Sequence, residues 1–439
     1  MVQFDVGAIV ARYGYRAGVI EVLVDRPGRL VARVTIGAGR ALAVKVDDDP
    51  SAFVPERASI GKLAAHGLPV PAILGFSDLP PAHLVLDWIP GEPLSSRSAP
   101  AAQHAAGRLL RRVHALPGGP PYAGNADIAD WMAGWLNVAV AWWRSYDDPG
   151  SARVDALWRW YHRLRPLLQA RGGQTTLFDG RPEHFIVNGD DVVGLIDLHD
   201  VTSGDAAMDL AVMGVDDLDL IAGVLAGYRL TGAERIAYDR LIPFYLLVRR
   251  LAAAEWHLRC GDAARTPAML DLVRSSAIPD PPPCYLLCGL TGSGKTTYAR
   301  QIESVGAVRL SVDEEVFARN GRYGVDYPDH EYPARERPVV AELRARMAAL
   351  IRAGRPVVFD WGLWRRADRD AYKRLVTDSG GRWHLLYFPA DREVLRRRLA
   401  ERNRRADPNA LTVTPAALDE FISRFEPPCG EGEQIIDLI

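Results

Sequence analysis

The chain has no long apolar run. Its nearest candidate, residues 242–248, falls far short of the roughly 20 residues that span a bilayer, so no membrane span is expected. The first residues, MVQFDVGAIVARYGYR, lack the apolar core of an export signal, which makes a cytoplasmic protein the expectation. Cysteine is scarce. The four present, Cys260, Cys284, Cys288 and Cys429, have neither a disulfide-framework nor a metal-ligand spacing, as expected of reduced thiols. Cys284 and Cys288 fall in an apolar run and read as small core residues. Excess charge of either sign is also missing: a formal net charge of -2 argues against a nucleic-acid coat or an anionic-membrane binder, while leaving room for a local basic groove. What remains, 48% apolar and 25% charged residues, is the make-up of a globular chain, and 439 residues exceed one ordinary core and imply two or three domains.

The clearest boundary is the stretch 275–283, SSAIPDPPP. Proline cannot continue a helix and disfavours helix in the residue before it, so this reads as a stiff linker between domains at 1–274 and 284–439. Up to about residue 90 the chain is strand-rich: β-branched runs at 18–24, 30–36 and 41–46 are separated by DRPGR and GAGR turns, a helix fits 55–66 and a strand 83–88. Helical spacing dominates 100–116 and 126–170, and two short strands, 185–188 and 192–196, flank a turn at 189–191. After the linker, strands at 284–288, 309–312, 356–360 and 383–388 alternate with helices, the pattern of a parallel sheet.

The first of these strands runs into GLTGSGKT and then a helix. Gly289, Gly292 and Gly294, with Thr291 and Ser293 between them, let the backbone curl so that its N–H groups face phosphate oxygens; the helix start through Thr296 and Thr297 adds a favourable dipole. Lys295 is expected to reach the outer phosphates of ATP, with GTP left open, and the Thr296 hydroxyl to meet Mg²⁺. Asp360 ends an apolar strand, the setting of a metal-holding acid. Asp313 lies just past the second strand, where it reads equally as a general base for an acceptor hydroxyl or as the cap of a helix over 314–319. An arginine tract over 392–405 is mostly a solvated helix face, from which Arg398 or Arg402 could close over the nucleotide; Arg404 and Arg405 end it.

A second constellation precedes the linker. Leu42–Ala43–Val44–Lys45 has the strand-borne lysine pattern that contacts α and β phosphates, and Glu56 on the next helix can pair with it. Asp179 and His184 have the spacing of a catalytic acid and a metal-binding side chain in a kinase loop, and a short hairpin then leads to Asp197, where a second metal-binding acid belongs. Each alone is an ordinary surface or turn residue; together they argue for a kinase. Tryptophans 131, 135, 142, 143, 158 and 160 read chiefly as core, with stacking on a sugar or flat acceptor open to some of them. Asp127, Asp130, Asp216, Asp217 and Asp219 read equally as attractors of a cationic acceptor and as solvated surface. Asp209 reads as a structural acid tying down the catalytic loop.

On these residues, and on GLPVPAIL, LVLDWIPGEPL and GDAAMDLAV, residues 1–274 resemble the aminoglycoside phosphotransferase family, with its two-lobed protein-kinase-like fold. The resemblance implies ATP between an N-lobe of about 1–90 and a C-lobe of about 91–274, adenine near residues 87–89, and an acceptor beneath the helices of 126–170. Three departures stand out: the family's H-G-D is Leu177–Phe178–Asp179 here; its loop asparagine is His184, a poorer ligand for Mg²⁺ that suits softer ions and could bind Mn²⁺; and the turn expected to cover the nucleotide, residues 25–29, has only Gly28. Residues 284–428, on the phosphate loop, SVDEE, VVFDWGLW, the arginine helix and FEPP, resemble AAA-type P-loop kinases near the zeta-toxin, chloramphenicol phosphotransferase and polynucleotide kinase groups. The fold class expected is therefore α+β then α/β: a two-lobed kinase-like domain followed by a parallel-sheet P-loop domain. The expected reaction is transfer of a γ-phosphoryl group to a hydroxyl of a small molecule such as an antibiotic, sugar or related natural product. Competing readings are a P-loop kinase regulated by a ligand-binding pseudokinase, and a nucleic-acid-end kinase.

Overall fold

A computed structural model describes every residue except 1–3, 38, 119–126, 147–148, 263, 277–280, 323–324, 403–412 and 438–439. The middle of the proline linker, together with Arg404 and Arg405, therefore lies outside the described residues. The chain divides into two compact units, Met1–Tyr228 with Ile242–Ser276, and Arg229–Leu241 with Ala277–Ile439.

The first unit opens with helix α1 (Val6–Ala11) and a five-stranded antiparallel sheet in the order β1-β2-β3-β5-β4. Its strands are β1 (Ile20–Arg26), β2 (Arg29–Ile36), β3 (Arg40–Asp47), β4 (Ile73–Ser77) and β5 (Ala82–Asp87), with helix α2 (Val54–Ala65) between β3 and β4. Alternation in β2 buries Ala32, Val34 and Ile36 against Val6, Ile9 and Val10 of α1, whereas β3 and β5 are buried on both faces. β3 is central, paired with β2 and β5, and holds Lys45 opposite Val31 and Leu84. The strands match the sequence expectation within two residues, except that β4 was missed: ILGFS is short and broken by glycine.

The second lobe of this unit comprises β6 (Glu92–Pro93), α3 (Pro100–His114), α4 (Ile128–Ser145), α5 (Val154–Gln169), β7 (Gln174–Thr176), β8 (Phe185–Asn188), β9 (Asp191–Leu195), β10 (Thr202–Gly204), α6 (Ala206–Val212) and α7 (Asp219–Tyr228). The hairpin of β8 and β9 pairs with β6, and β7 pairs with β10. Helix α8 (Gly232–Arg259) follows, then α9 (Arg265–Ser275). The residues of α8 up to Leu241 belong to the second unit rather than to the first, where the sequence placed them. Arg235 accounts for this: it is fully buried and donates to the Tyr298 hydroxyl at 2.9 Å. The division falls beside Pro243, whose ring removes one helical hydrogen bond.

The second unit is a five-stranded parallel sheet ordered β12-β13-β11-β14-β15, built from β11 (Pro283–Cys288), β12 (Val308–Ser311), β13 (Val357–Asp360), β14 (Arg382–Tyr387) and β15 (Glu433–Ile435). Helices α10 (Lys295–Ser304), α11 (Val312–Asn320), α12 (Tyr332–Arg352), α13 (Arg366–Asp378), α14 (Arg392–Arg402) and α15 (Pro415–Arg424) make the connections that parallel pairing requires. β11 is buried along its whole length, so alternate residues feed opposite cores: Leu286 and Cys288 face Leu343, Met347 and Phe359, while Tyr285 and Leu287 face Ile302 and Val358. β15 was not foreseen, because two of its three residues are polar. The chain leading to it is held by a buried Arg369–Glu431 pair at 2.6 Å. No helix among the described residues is long and apolar enough to cross a membrane.

Candidate active sites

In the first unit, β3 delivers the Lys45 ammonium into the cleft above the β8–β9 hairpin. Nζ donates to Glu56 Oε1 at 2.7 Å and to Asp197 Oδ1 at 3.2 Å. Burial favours the neutral amine, but the two carboxylates outweigh it and raise the lysine's pKa above its ordinary value. Asp197 sits just past β9 with φ +56°, left-handed backbone that costs a non-glycine residue energy and persists because its surroundings hold it. Burial works against its ionisation too; Lys45 prevails and keeps its carboxyl below the usual value.

Asp179 comes from the turn between β7 and β8. Asp209 of α6, fully buried, accepts from the N–H groups of Leu177 at 2.6 Å and Phe178 at 2.9 Å, and from His114 Nε2 at 3.0 Å. Tyr228 lies 3.0 Å from the other ring nitrogen. The turn that carries Asp179 thus hangs from a buried carboxylate, and an imidazole supplied by α3 braces it. Replacing Asp209 with alanine leaves two amides and the Nε2 of His114 unpaired. At about 1–3 kcal/mol for each buried polar group left unsatisfied, the urea unfolding midpoint of Asp209→Ala should fall sharply, and that of Asp209→Asn less.

His184 Nδ1 is 2.9 Å from the carbonyl oxygen of Asp179, an acceptor only, so Nδ1 carries the proton. The lone pair is left on Nε2, 3.7 Å from Asp197 Oδ2. An imidazole lone pair beside a half-exposed carboxylate suits a divalent cation with affinity for both nitrogen and oxygen. Below the first sheet, Pro71, Asp87, Trp88, Ile89 and Val193 line a cleft of ≈ 430 Å³.

In the second unit, the loop from Gly289 to Thr296 joins β11 to α10. Gly294 caps α10 with φ +101°, and Gly292 has φ +81° with no room for a Cβ except against Leu399 at 3.2 Å, so glycine is required at both. Lys295 Nζ donates to the carbonyls of Gly289 at 2.8 Å and Leu290 at 2.7 Å. The loop curls round the ammonium, and desolvation lowers its pKa to about 8. Thr296 Oγ1 meets Asp360 Oδ1 at 3.3 Å, and the other oxygen of Asp360 accepts from Arg309 Nε at 2.9 Å. Arg309 also grips Glu314 through both terminal nitrogens. Asp313 opens the first turn of α11 and is exposed at its rim. The crowded cleft nevertheless desolvates its carboxylate and raises its pKa, against a hydrogen bond from Tyr332 at 3.0 Å. The cap of α11 is Ser311, not Asp313, and the helix begins at Val312 rather than residue 314. Glu336, accepting from Trp361 Nε1 at 3.2 Å, is likewise raised by desolvation.

Two family models match this chain. That of the phosphotransferase enzyme family (APH) covers residues 21–244, just over half of the sequence. The chain belongs to that family. The model of an AAA domain covers residues 285–428. Among solved structures, the chain is similar to macrolide 2'-phosphotransferase MphH from Brachybacterium faecium, at 17% identity and a TM-score of 0.46 over 62% of this chain and 98% of that one. It is also similar to a thermostable mutant of aminoglycoside phosphotransferase APH(4)-Ia in ternary complex with ADP and hygromycin B (16%, 0.48, 62% and 99%). A third is the gentamicin complex of APH(2")-IIa (13%, 0.47, 63% and 98%). No curated protein sequence matches. The chain is a phosphotransferase of kinase type: an APH domain with a mixed α/β kinase-like fold, and a parallel-sheet P-loop domain.

Within the APH domain the structure brings Lys45, Glu56, Asp197 and His184 into one cluster, with Asp179 tied to it through the His184 hydrogen bond. Within the AAA domain it gathers the loop residues, Lys295, Thr296 and Asp360, and Arg402 reaches Thr291 Oγ1 at 3.3 Å. Arg398 stands one turn earlier on α14, and Thr297 is exposed in the first turn of α10. Sequence reasoning missed Arg249, whose Nη2 meets Asp179 Oδ1 at 2.5 Å, and also His114, Arg309, Tyr332 and Glu336. Of the acids considered as attractors of a cationic acceptor, Asp127 caps α4, Asp130 pairs with Arg165 at 3.0 Å, and Asp217 accepts from the N–H of Asp219.

Proposed function

We propose that the chain carries two ATP-using sites, each transferring the γ-phosphoryl group to a hydroxyl of a small molecule. The observation that carries the APH half is Lys45 held at once by Glu56 and Asp197, the arrangement that sets a lysine against phosphates and an acid against the metal. In the transfer, the acceptor oxygen bonds to the γ-phosphorus, the bond from that phosphorus to the departing ADP breaks, and the hydroxyl proton passes to Asp179. In the AAA domain Asp313 takes that proton, the loop amides and Lys295 hold the phosphates, and Arg402 neutralises charge as it develops. ATP's adenine would occupy the cleft lined by Asp87, Trp88 and Ile89. Divalent metal would be held by Asp197 and His184 in one domain, and by Thr296 and Asp360 in the other, where it would offset phosphate charge.

Incubation with γ-labelled ATP and a panel of hydroxylated small molecules tests this directly: label should move to an acceptor, and its absence across sugars, antibiotics and related compounds would count against transfer. His184 gives a sharper test. Mg²⁺ favours all-oxygen ligands, whereas Mn²⁺ accepts an imidazole. The APH site should therefore bind nucleotide more tightly with Mn²⁺ than with Mg²⁺, and His184→Asn should shift that ratio toward Mg²⁺ on the order of tenfold, read by calorimetric titration with each metal.

One observation favours the competing reading of a binding-only APH domain: the Asp179 carboxylate is already engaged by Arg249. Under it, acceptor turnover would depend on the AAA domain alone. A nucleic-acid end as acceptor has less behind it, since Arg392 and Arg396 of the arginine helix are paired with Asp419 and Glu393.

A further inference from the structure

The same Arg249 points to the chemistry of the acceptor. Its guanidinium is largely buried, with a side-chain exposure of 11%, and its ion-pair partner is Asp179 at 2.5 Å. It lies over the rings of Trp135 at 5.5 Å and Phe178 at 5.3 Å. Trp131 completes the aromatic group, with ring centroids 5.3 Å from Trp135 and 5.8 Å from Phe178. All three rings are half-buried, whereas Trp143 and Trp160 of the same helical region are sealed in the core. Beside Asp179 there is thus a partly open aromatic wall with a cation at its inner end.

Two consequences follow. The Asp179 oxygen that Arg249 occupies is not open to an acceptor hydroxyl until that guanidinium finds another anion. A polycation, conversely, meets Arg249 and Arg181, which is 3.3 Å from the same carboxylate, while Asp127 and Asp130 are already committed to a helix cap and to Arg165. Burial draws the pKa of Arg249 below an arginine's ordinary value, against the opposing pull of Asp179.

We infer that the APH domain's acceptor is a hydroxylated ring compound bearing an anionic group: the ring lies on Trp131, Trp135 and Phe178, and the anion takes Arg249 from Asp179, leaving that carboxylate only the longer Arg181 contact and so opening it to the hydroxyl proton. This rests on the reading of Asp179 as the base, and it deepens that reading by naming the acceptor's charge. Carboxylate and phosphate share the required chemistry, so both are tested.

The experiment is calorimetric titration of the full chain, with ADP and Mn²⁺ present, against two matched pairs and one polycation. The pairs are phenyl β-D-glucuronide with phenyl β-D-glucoside, and glucose 6-phosphate with glucose; the polycation is kanamycin. At least one anionic probe should bind about tenfold or more tightly than its neutral counterpart, as a charge-assisted, two-pronged contact implies, and the pair that shows the gain identifies the anion. Arg249→Met should erase the gain, and Trp135→Leu should weaken both members of the pair. If Arg249→Met does not fold, Arg249→Lys, which keeps the charge and loses the fork, should show a reduced gain. No gain in either pair, an undiminished gain in the arginine variant, or tightest binding by kanamycin overturns the inference. Nucleotide binding is measured alongside: if it persists while the gain is absent, the acceptor assignment alone fails, and if it is absent too, the kinase reading fails with it.

Discussion

Asp197→Asn should slow phosphoryl transfer by the APH domain by about 10²- to 10³-fold, the usual loss when one preorganised charge aimed at the reacting phosphates is removed. Asparagine is the informative replacement. Asp197 has φ +56°, and asparagine tolerates left-handed backbone far better than alanine, so the loop keeps its shape while the negative charge is lost. Lys45 retains Glu56 at 2.7 Å, which keeps the lysine charged and in place. The measurement is kcat for labelled acceptor formation, with a thermal melt showing that folding is unaffected. An unchanged rate would mean that the transfer observed does not occur in this domain.

Lys295→Ala should lower transfer by the AAA domain by a similar factor of about 10²–10³ and weaken its hold on ATP. The lysine's bonds in the structure run to the carbonyls of Gly289 and Leu290, within the loop itself, so its removal takes nothing from the core below. Arg402, at 3.3 Å from Thr291, reaches the loop from a different helix and cannot replace an ammonium at the loop's centre. Because each variant silences one domain, the pair assigns every product to its site. Loss of all transfer with Lys295→Ala, with none from Asp197→Asn, would identify the APH domain as a binding module.

What the sequence discloses about these sites follows from how local each feature is. The phosphate loop is a continuous run from strand to helix, so its glycines, Lys295 and Thr296 declare themselves in order. Lys45 and Glu56 are a strand and a helix apart, and their 2.7 Å contact agrees with a pairing read from adjacent elements. Asp209 was read as a tether for the catalytic turn, and it bonds the amides of Leu177 and Phe178. Arg249 had no such signal. It lies 70 residues from Asp179, on a helix whose pattern shows only that one face is buried, and only packing turns that arginine toward the loop. Arg309 and Asp360 are 51 residues apart on neighbouring strands of a parallel sheet, a pairing visible only once the strand order is known. The choice between Arg398 and Arg402 depends on the rotation of α14 about its axis, which Leu395 and Leu399 set by packing against Leu290 and the Gly292 turn. The same limit explains β15, whose three residues form a strand because β14 offers them an edge.

The most direct measurement is the stoichiometry with which a non-hydrolysable ATP analogue binds the full chain in the presence of Mn²⁺. Two molecules per chain are expected, falling to one in Lys295→Ala. Saturation at a single site in the native chain, or no binding at all, would contradict a protein with two phosphate-gripping centres.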